Sequence, residues 1–167
     1  MTGQVVAFRD PRGADARQAL LDAIAPLHAL ITLDPILGAS PVRIYFVLNP
    51  QALAKIADCL DPDDRSPARR AGAFALAAYD FPFALQLIEG TASPAVRQRA
   101  KEIVTRSAGL QGDVFKAAAA SFGIDARPIC AFDARALTAA FFPSTQETVT
   151  HLFWLAASPD GVAEPPL

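Results

Sequence analysis

The sequence predicts an α+β fold of three layers, in which a small mixed or antiparallel sheet lies between helices. Residues 42–48 and 72–79 form two short apolar runs that are typical of strands. Residues 95–122 have a helical period and several alanines, which favours a long, slim helix at the centre of the fold. The strands are too few and too unevenly spaced for a doubly wound sheet, and the sequence has neither GxGxxG nor a P-loop lysine motif.

The composition is apolar for a chain of this length. Of its 167 residues, 52% are hydrophobic and 19% are charged, and the mean hydropathy is +0.26. We expect one domain, residues 1–167, with a sizeable core. The apolar runs are too short or too interrupted for a membrane helix, which needs roughly 20 residues. The excess therefore indicates a large core, a buried subunit interface or both, and we expect an obligate homodimer.

Charge and cysteine content argue against several classes of function. The formal net charge is −2 and the isoelectric point about 5.6, so nothing favours nucleic acid as a partner. The two cysteines, Cys59 and Cys130, form no CxxC motif, and the two histidines show no ligand spacing, so no metal site is expected. The sequence shows no signal peptide, and we expect a cytoplasmic, reduced protein.

The first third of the chain predicts one helix and one strand. Residues 1–13 are expected to be irregular, whereas residues 14–31 have apolar side chains at helical spacing and predict a helix that kinks or restarts at Pro26. A proline-containing loop follows. Residues 42–48 then predict a strand, since they are rich in β-branched and aromatic side chains and are bounded by Pro41 and Pro50.

The middle of the chain predicts a helix, a loop, a buried strand and a short helix. Asn49-Pro50 is typical of a helix start, and this helix is predicted to end at a polar, solvated loop, residues 61–70. Residues 72–79 predict a strand buried on both faces, although a buried helix segment fits the same pattern. A break at Asp80 precedes a short helix that reaches about Glu89.

The C-terminal part begins with the long helix, residues 95–122. It contains one apolar row at intervals of four residues: Leu110, Val114, Ala118 and Phe122. Gly109 and Gly112 indicate a kink or close packing within it. Gly123 is predicted to end the helix as a left-handed cap, followed by a short strand at residues 126–131. Asp133 is predicted to cap a helix at 134–141, and a last strand, 148–155, precedes an irregular tail, 158–167.

Several short motifs occur in an order and at separations that are typical of one family. They are Ser40-Pro41-Val42-Arg43, Ala78-Tyr79-Asp80, Leu110-Gln111-Gly112, Gly123-Ile124-Asp125, Pro128-Ile129-Cys130-Ala131-Phe132-Asp133 and Phe141-Phe142. On these motifs the chain resembles the nitroreductase family of flavoproteins, and most of all its branch of malonic semialdehyde reductases. The resemblance covers about residues 20 to 155.

The resemblance implies a cofactor and a mode of action. Members of the family are homodimers that bind FMN at the subunit interface; NAD(P)H reduces the flavin, which then reduces a small-molecule acceptor. By resemblance, Ser40, Pro41 and Arg43 lie on the cofactor side of the fold, together with Gln111 on the long helix and Pro128 at the corner before the next helix. The sequence contains no nucleophile–base pair and no paired carboxylates of a catalytic type, so it assigns no catalytic residue.

At several flavin-binding positions the sequence departs from the family pattern. Residues 3–8 carry no charge where the family has basic phosphate ligands, Gly38 stands at an asparagine position, and Ala131 stands at a glycine position. Each lost charge-assisted contact to a phosphate weakens binding by roughly 1.5–3 kcal/mol. The alternative function is therefore that of a divergent relative that has lost FMN and acts as a dimeric binding or regulatory module.

The remaining reactive side chains are interpreted as structural. His151 alternates with apolar residues in the last strand, so a core or interface histidine is favoured over a proton donor. Cys130 and Arg127 lie an odd number of residues apart on an extended segment and point to opposite faces, so Cys130 is not expected to be activated. Cys59 is interpreted as inert core, and Trp154 as core or interface.

Overall fold

A computed structural model describes residues 14–33, 41–70 and 72–158 of the chain. The predictions for residues 1–13, for the loop 34–40 with Gly38 and Ser40, and for the tail 159–167 lie outside the described residues. The elements are α1 (Ala14–Leu33), β1 (Val42–Val47), α2 (Pro50–Asp58), α3 (Pro62–Arg70), β2 (Ala73–Asp80), α4 (Phe81–Thr91), α5 (Pro94–Gln98), α6 (Ala100–Ser121), β3 (Ile124–Ile129), α7 (Ala134–Phe141) and β4 (Glu147–Ala157).

The four strands form one antiparallel sheet in the order β1-β2-β4-β3. β2 lies inside the sheet, and each of its residues from Ala73 to Tyr79 is buried. The strand is rich in alanine, so helices can approach both of its faces closely. The predicted doubly buried strand is confirmed, and a helix at this position is excluded.

Helices cover both faces of the sheet. On one face, α2, α7 and Ala68 of α3 pack with the side chains of Phe74, Leu76 and Trp154. On the other face, α1 and α6 pack with Phe153 and Leu155 of β4. This arrangement confirms the predicted α+β fold of three layers. No helix among the described residues is long and apolar enough to cross a membrane.

The predicted polar loop at residues 61–70 is wrong, because these residues form helix α3. Pro62 occupies the first helical position, and the acidic Asp63 and Asp64 in the first turn complement the helix dipole. Ala68 is fully buried in the core, and the Arg65 Nε–H donates to the Leu60 carbonyl at 3.1 Å. The buried Ala68, the helix-start residues and the Arg65 hydrogen bond together account for a helix in a segment that otherwise has the composition of a loop.

The long helix predicted at residues 95–122 is divided at Arg99 into α5 and α6. Arg99 has φ −102° and ψ 11°, and its backbone N–H donates to the Val96 carbonyl at 3.0 Å, so α5 ends in a tight turn. The buried face of α6 consists of Ala100, Val104, Ala108, Gly112, Phe115 and Ala119. The apolar row predicted from the sequence is divided: Ala118 and Phe122 pack against the core, whereas Leu110 and Val114 are 57% and 53% exposed.

The predicted helix caps are confirmed. The Asn49 side chain accepts from the Gln51 N–H at 2.8 Å, and the Asp133 side chain accepts from the Ala136 N–H at 2.9 Å. Gly123 has φ 73°, the left-handed conformation that glycine adopts without strain. β3 begins directly after it, two residues before its predicted start, because it pairs with β4 up to Ala157.

Candidate functional site

A polar cluster lies on one face of the sheet, at the end where β1 and β4 both begin, on either side of the end of β2. Arg43 and Tyr45 are two residues apart on β1 and therefore share a face. The Tyr45 hydroxyl donates to Glu147 Oε1 at 2.9 Å, and an Arg43 Nη atom lies 3.5 Å from the same oxygen. Glu147 is 6% exposed and is the one buried charged side chain among those that the structure describes.

The electrostatics of the cluster keep both partners of Glu147 in their donor forms. The pKa of Arg43 is raised, first by the hydrogen bond of its guanidinium with Tyr45 and then by the charge of Glu147. Burial, followed by the hydrogen bond to Glu147, raises the pKa of the Tyr45 hydroxyl. The phenol therefore stays protonated and donates to the carboxylate. Since the Arg43 side chain is 68% exposed, part of its guanidinium faces solvent and can contact a ligand.

We expect the Glu147→Ala variant to unfold more readily than wild type, because the half-buried Tyr45 hydroxyl loses its acceptor. The expected loss in the free energy of unfolding is about 1–3 kcal/mol. Loss of the ion pair with Arg43 adds little to it, because the Arg43 side chain is exposed to solvent. Glu147→Gln keeps an amide oxygen for Tyr45 and should recover about half of that loss. Urea denaturation measures both, and equal losses in the two variants would contradict the assigned hydrogen bond.

One chain does not bring the predicted cofactor residues together. Pro41 immediately precedes β1, and its carbonyl accepts from the Asp80 N–H at 2.8 Å. Arg43 lies on the edge strand β1 and Pro128 on the opposite edge strand β3, with two strands between them. Three strand spacings of about 4.8 Å separate such edges by about 14 Å. Gln111 is half-buried on α6, and Ser40 lies outside the described residues.

The corner between β3 and α7 is tied to the end of α2. The Asp133 N–H donates to the Cys59 carbonyl at 2.8 Å, and Leu60 forms a β-bridge with Phe132. Cys130 is exposed at this corner. The Arg127 side chain contacts other residues: its Nε–H donates to Asp125 Oδ2 at 2.7 Å, and its guanidinium lies 5.3 Å from the centre of the Trp154 ring.

These contacts bear on the two cysteines. Arg127 is engaged by Asp125 and Trp154, so it provides no cation for a Cys130 thiolate. Burial, followed by the charges of Asp133 and Asp58, raises the pKa of Cys59 and makes that thiol less reactive. No group of three or more potential metal ligands occurs in the part of the chain that the structure describes.

An exposed apolar stripe runs along α5 and α6. It consists of Val96, Ile103, Leu110 and Val114, which are 39–57% exposed. Ile103, Leu110 and Val114 are separated by seven and four residues, which places them on one side of α6 and away from its buried face, while Val96 lies on the preceding helix α5. Ion pairs from Glu102 to Arg99 and Arg106, at 3.0 and 3.4 Å, border the stripe. The apolar excess of the sequence is thus partly on the surface, where a second chain can cover it.

Among the residues that the structure describes, the donors that suit FMN are present only in part within one chain. A flavin phosphate requires cations or N–H donors, and the Arg43 guanidinium has this chemistry. However, Arg43 faces the carboxylate of Glu147, and Pro128 lies at the other edge of the sheet. The described residues of a single chain therefore do not complete an FMN site.

No family model matches the sequence. Among curated proteins, the chain is 28% identical over 122 residues to one from Ralstonia nicotianae and 29% identical over 149 residues to one from Stutzerimonas stutzeri. Both carry the name “Putative NADH dehydrogenase/NAD(P)H nitroreductase”. The matches cover 69% and 79% of this chain, and 63% and 74% of those proteins. The chain thus spans less than two thirds of the first relative, and 62% of a similar protein from Polynucleobacter asymbioticus.

Solved structures of nitroreductases share the fold. A nitroreductase family protein from Streptococcus pneumoniae matches with a TM-score of 0.56 at 16% identity, over 98% of this chain and 94% of its own. The nitroreductase CinD from Lactococcus lactis, in complex with 4-nitrophenol, matches with a TM-score of 0.60 at 10% identity, over 88% and 82%. A Staphylococcus epidermidis protein named “putative NAD(P)H:FMN oxidoreductase” has a TM-score of 0.58 at 15% identity, over 88% and 81%. The chain has the nitroreductase fold.

Proposed function

We propose that the chain is a nitroreductase-like oxidoreductase that works as a homodimer, binds FMN between its two copies, and uses NAD(P)H to reduce a small-molecule acceptor. The observation that carries this proposal is the nitroreductase fold, which this chain shares with one solved relative over 94% of that protein's length. The names of the relatives support it, since they include NAD(P)H nitroreductases and an NAD(P)H:FMN oxidoreductase. The sequence motifs favour the malonic semialdehyde reductase branch.

The placement of the candidate cofactor residues Arg43 and Pro128 at opposite edges of the sheet supports a shared site. In the proposal, Ser40, Pro41 and Arg43 of one copy contact the cofactor, and Pro128 and Gln111 complete the site. Bound FMN supplies the capacity to accept and release a pair of electrons. The chain orients it: Tyr45 and Glu147 fix the direction of the Arg43 side chain.

The second candidate function is that of a dimeric module without FMN. The pairing of Arg43 with Glu147 favours it, because a carboxylate beside the guanidinium repels a phosphate. The altered positions Gly38 and Ala131, and the uncharged residues 3–8, favour it as well. Both candidates include the same homodimer, so cofactor binding is the property that separates them.

An FMN titration of the purified protein tests the proposal. We expect a flavin absorption spectrum that bleaches when NADH or NADPH is added. Arg43→Gln should weaken FMN binding about 10- to 150-fold, which corresponds to one charge-assisted contact of 1.5–3 kcal/mol. Arg97→Gln removes an exposed arginine on α5 and should leave FMN binding unchanged. A colourless protein that does not bind added FMN would contradict the proposed oxidoreductase activity and favour the dimeric module without FMN.

A further inference from the structure

An open groove lies between helix α7 and the beginning of β4. Its volume is about 620 Å³, within the range of roughly 300–1,000 Å³ that small-molecule sites occupy. We call it the α7 groove, and its lining includes Arg135, Thr138, Ala139, Phe142, Pro143 and Thr148. Arg43, Gln111 and Pro128 are not among the described residues that line it, so it is separate from the proposed cofactor site.

The groove lies where β4 has no strand beside it. β3 ends at Ile129, which pairs with Leu152, so among the described strands residues 147–151 of β4 have no partner on that side. Helix α7 approaches this free edge instead, and Thr138 Oγ1 accepts from the Val149 N–H at 3.0 Å. Because one side chain rather than a whole strand covers the edge, space remains beside the contact.

One face of α7 supplies both the polar and the apolar part of the lining. Arg135, Thr138, Ala139 and Phe142 are spaced as i, i+3, i+4 and i+7, so they share a face that extends to the C-cap. The neighbouring face carries Leu137, which is fully buried in the core. The groove therefore has donors near the start of the helix and an apolar lining near its end.

Arg135 is exposed, and its charge is not neutralised within the chain that the structure describes. Arg43, Arg99, Arg106 and Arg127 each lie 2.7 to 3.5 Å from a carboxylate oxygen. Neither an ion pair nor a hydrogen bond of the Arg135 side chain occurs among the described residues. A guanidinium binds a carboxylate through two parallel hydrogen bonds, so Arg135 is available for an anionic ligand.

The Thr138 hydroxyl supplies a second donor. Its oxygen accepts from Val149, which leaves its hydrogen to be donated, and no acceptor for that hydrogen occurs in the described part of the chain. The nearby acidic side chains are engaged elsewhere, since Asp133 caps α7 and Glu147 accepts from Tyr45. The groove thus offers donors that no internal carboxylate occupies.

We propose that the α7 groove binds a small monocarboxylate with an apolar body. Arg135 and Thr138 donate to the carboxylate, and Ala139 and Phe142 contact the body, which leaves water on binding. One cation matches one negative charge, so a monoanion suits the groove better than a phosphate dianion. The proposal depends neither on a flavin nor on the homodimer.

Titration of the isotope-labelled full chain with benzoate, followed by amide NMR, tests the proposal. We expect saturable shifts centred on residues 134–149 and a dissociation constant of about 10 mM or lower, as for other ligands of this size. Benzamide has the same shape without the charge and should bind at least about 10-fold more weakly. Arg135→Gln changes an exposed side chain, so it should fold as wild type and show the same loss with benzoate. Arg97→Gln, on α5, should bind benzoate as wild type does.

Two neighbouring alanines of α7 provide a second test that retains the arginine. Ala139→Glu places a carboxylate four residues after Arg135, where it pairs with the guanidinium and should weaken benzoate binding at least about 10-fold. Ala140→Glu adds the same charge at an exposed position outside the described lining and should leave binding nearly unchanged.

Several results would overturn the proposal. Isovalerate, which has a branched aliphatic body, serves as a second probe, and the absence of saturable shifts in the groove with both acids excludes the site. Equal binding of benzamide and benzoate, or wild-type affinity in Arg135→Gln, excludes recognition of a carboxylate by the guanidinium. Equal losses in Ala139→Glu and Ala140→Glu place the anion outside the α7 groove.

Discussion

Replacing both Leu110 and Val114 with glutamate should prevent the self-association that we propose for this chain. Both side chains are more than half exposed and lie on the apolar stripe, opposite the buried face of α6, so the fold should be retained. In the proposed homodimer they would be covered by the second copy, and four buried glutamates would then lack partners. We expect the dimer dissociation constant to rise at least about 100-fold, or roughly 2.7 kcal/mol. Sedimentation velocity over a range of concentrations measures it.

The matched control adds the same charges elsewhere on the helix. Thr105 and Ala120 are exposed on α6 and lie away from the apolar stripe, so Thr105→Glu with Ala120→Glu should leave self-association unchanged. A wild-type chain that is monomeric at all concentrations would contradict the dimer. If the stripe variant is monomeric and still binds FMN as wild type does, the dimer survives but the shared cofactor site does not.

The parts of the fold that the sequence predicted well are set by contacts between residues that are close together along the chain. Asn49, Gly123 and Asp133 act on the backbone within three residues of themselves, so their chemistry alone locates a helix end. Helix α3 could not be predicted in this way, because its polar segment is held by the contact of Ala68 with a distant core. The exposed position of Leu110 and Val114 also follows from which face of α6 meets the sheet, and a four-residue spacing does not reveal it.

The candidate site was predictable only in part. Arg43 was identified through a short motif, but its partner Glu147 was not, because no motif includes it and it lies 102 positions beyond Tyr45. A glutamate at the start of an apolar strand was the available signal. The wide separation of Arg43 from Pro128 follows from the strand order β1-β2-β4-β3. Spacing along the chain does not determine that order, so residues with similar roles in a motif can lie on opposite edges of one sheet.

Replacing Trp154 with alanine should destabilise the chain more than any other change considered for a single residue. The indole is 1% exposed and packs in the core between the sheet and the layer of α2 and α7, with Arg127 over its ring. Truncation of such a side chain costs about 3–5 kcal/mol, which lowers the melting temperature by roughly 6–20 °C for a chain of this size. Trp154→Phe keeps an aromatic ring and should lose less than half as much.

The same variant separates the two sequence interpretations of Trp154, core and interface. If the indole belongs to the core of each copy, the loss of melting temperature should be the same at low and high protein concentration. If it belonged to an interface, the loss would shrink on dilution, because the copies would dissociate and the indole would then have no interface contact to lose. Circular dichroism is the suitable probe, since the substitution removes the only tryptophan. A loss below about 3 °C, or equal losses for alanine and phenylalanine, would contradict the core assignment, because a packed indole cannot be removed at so small a cost.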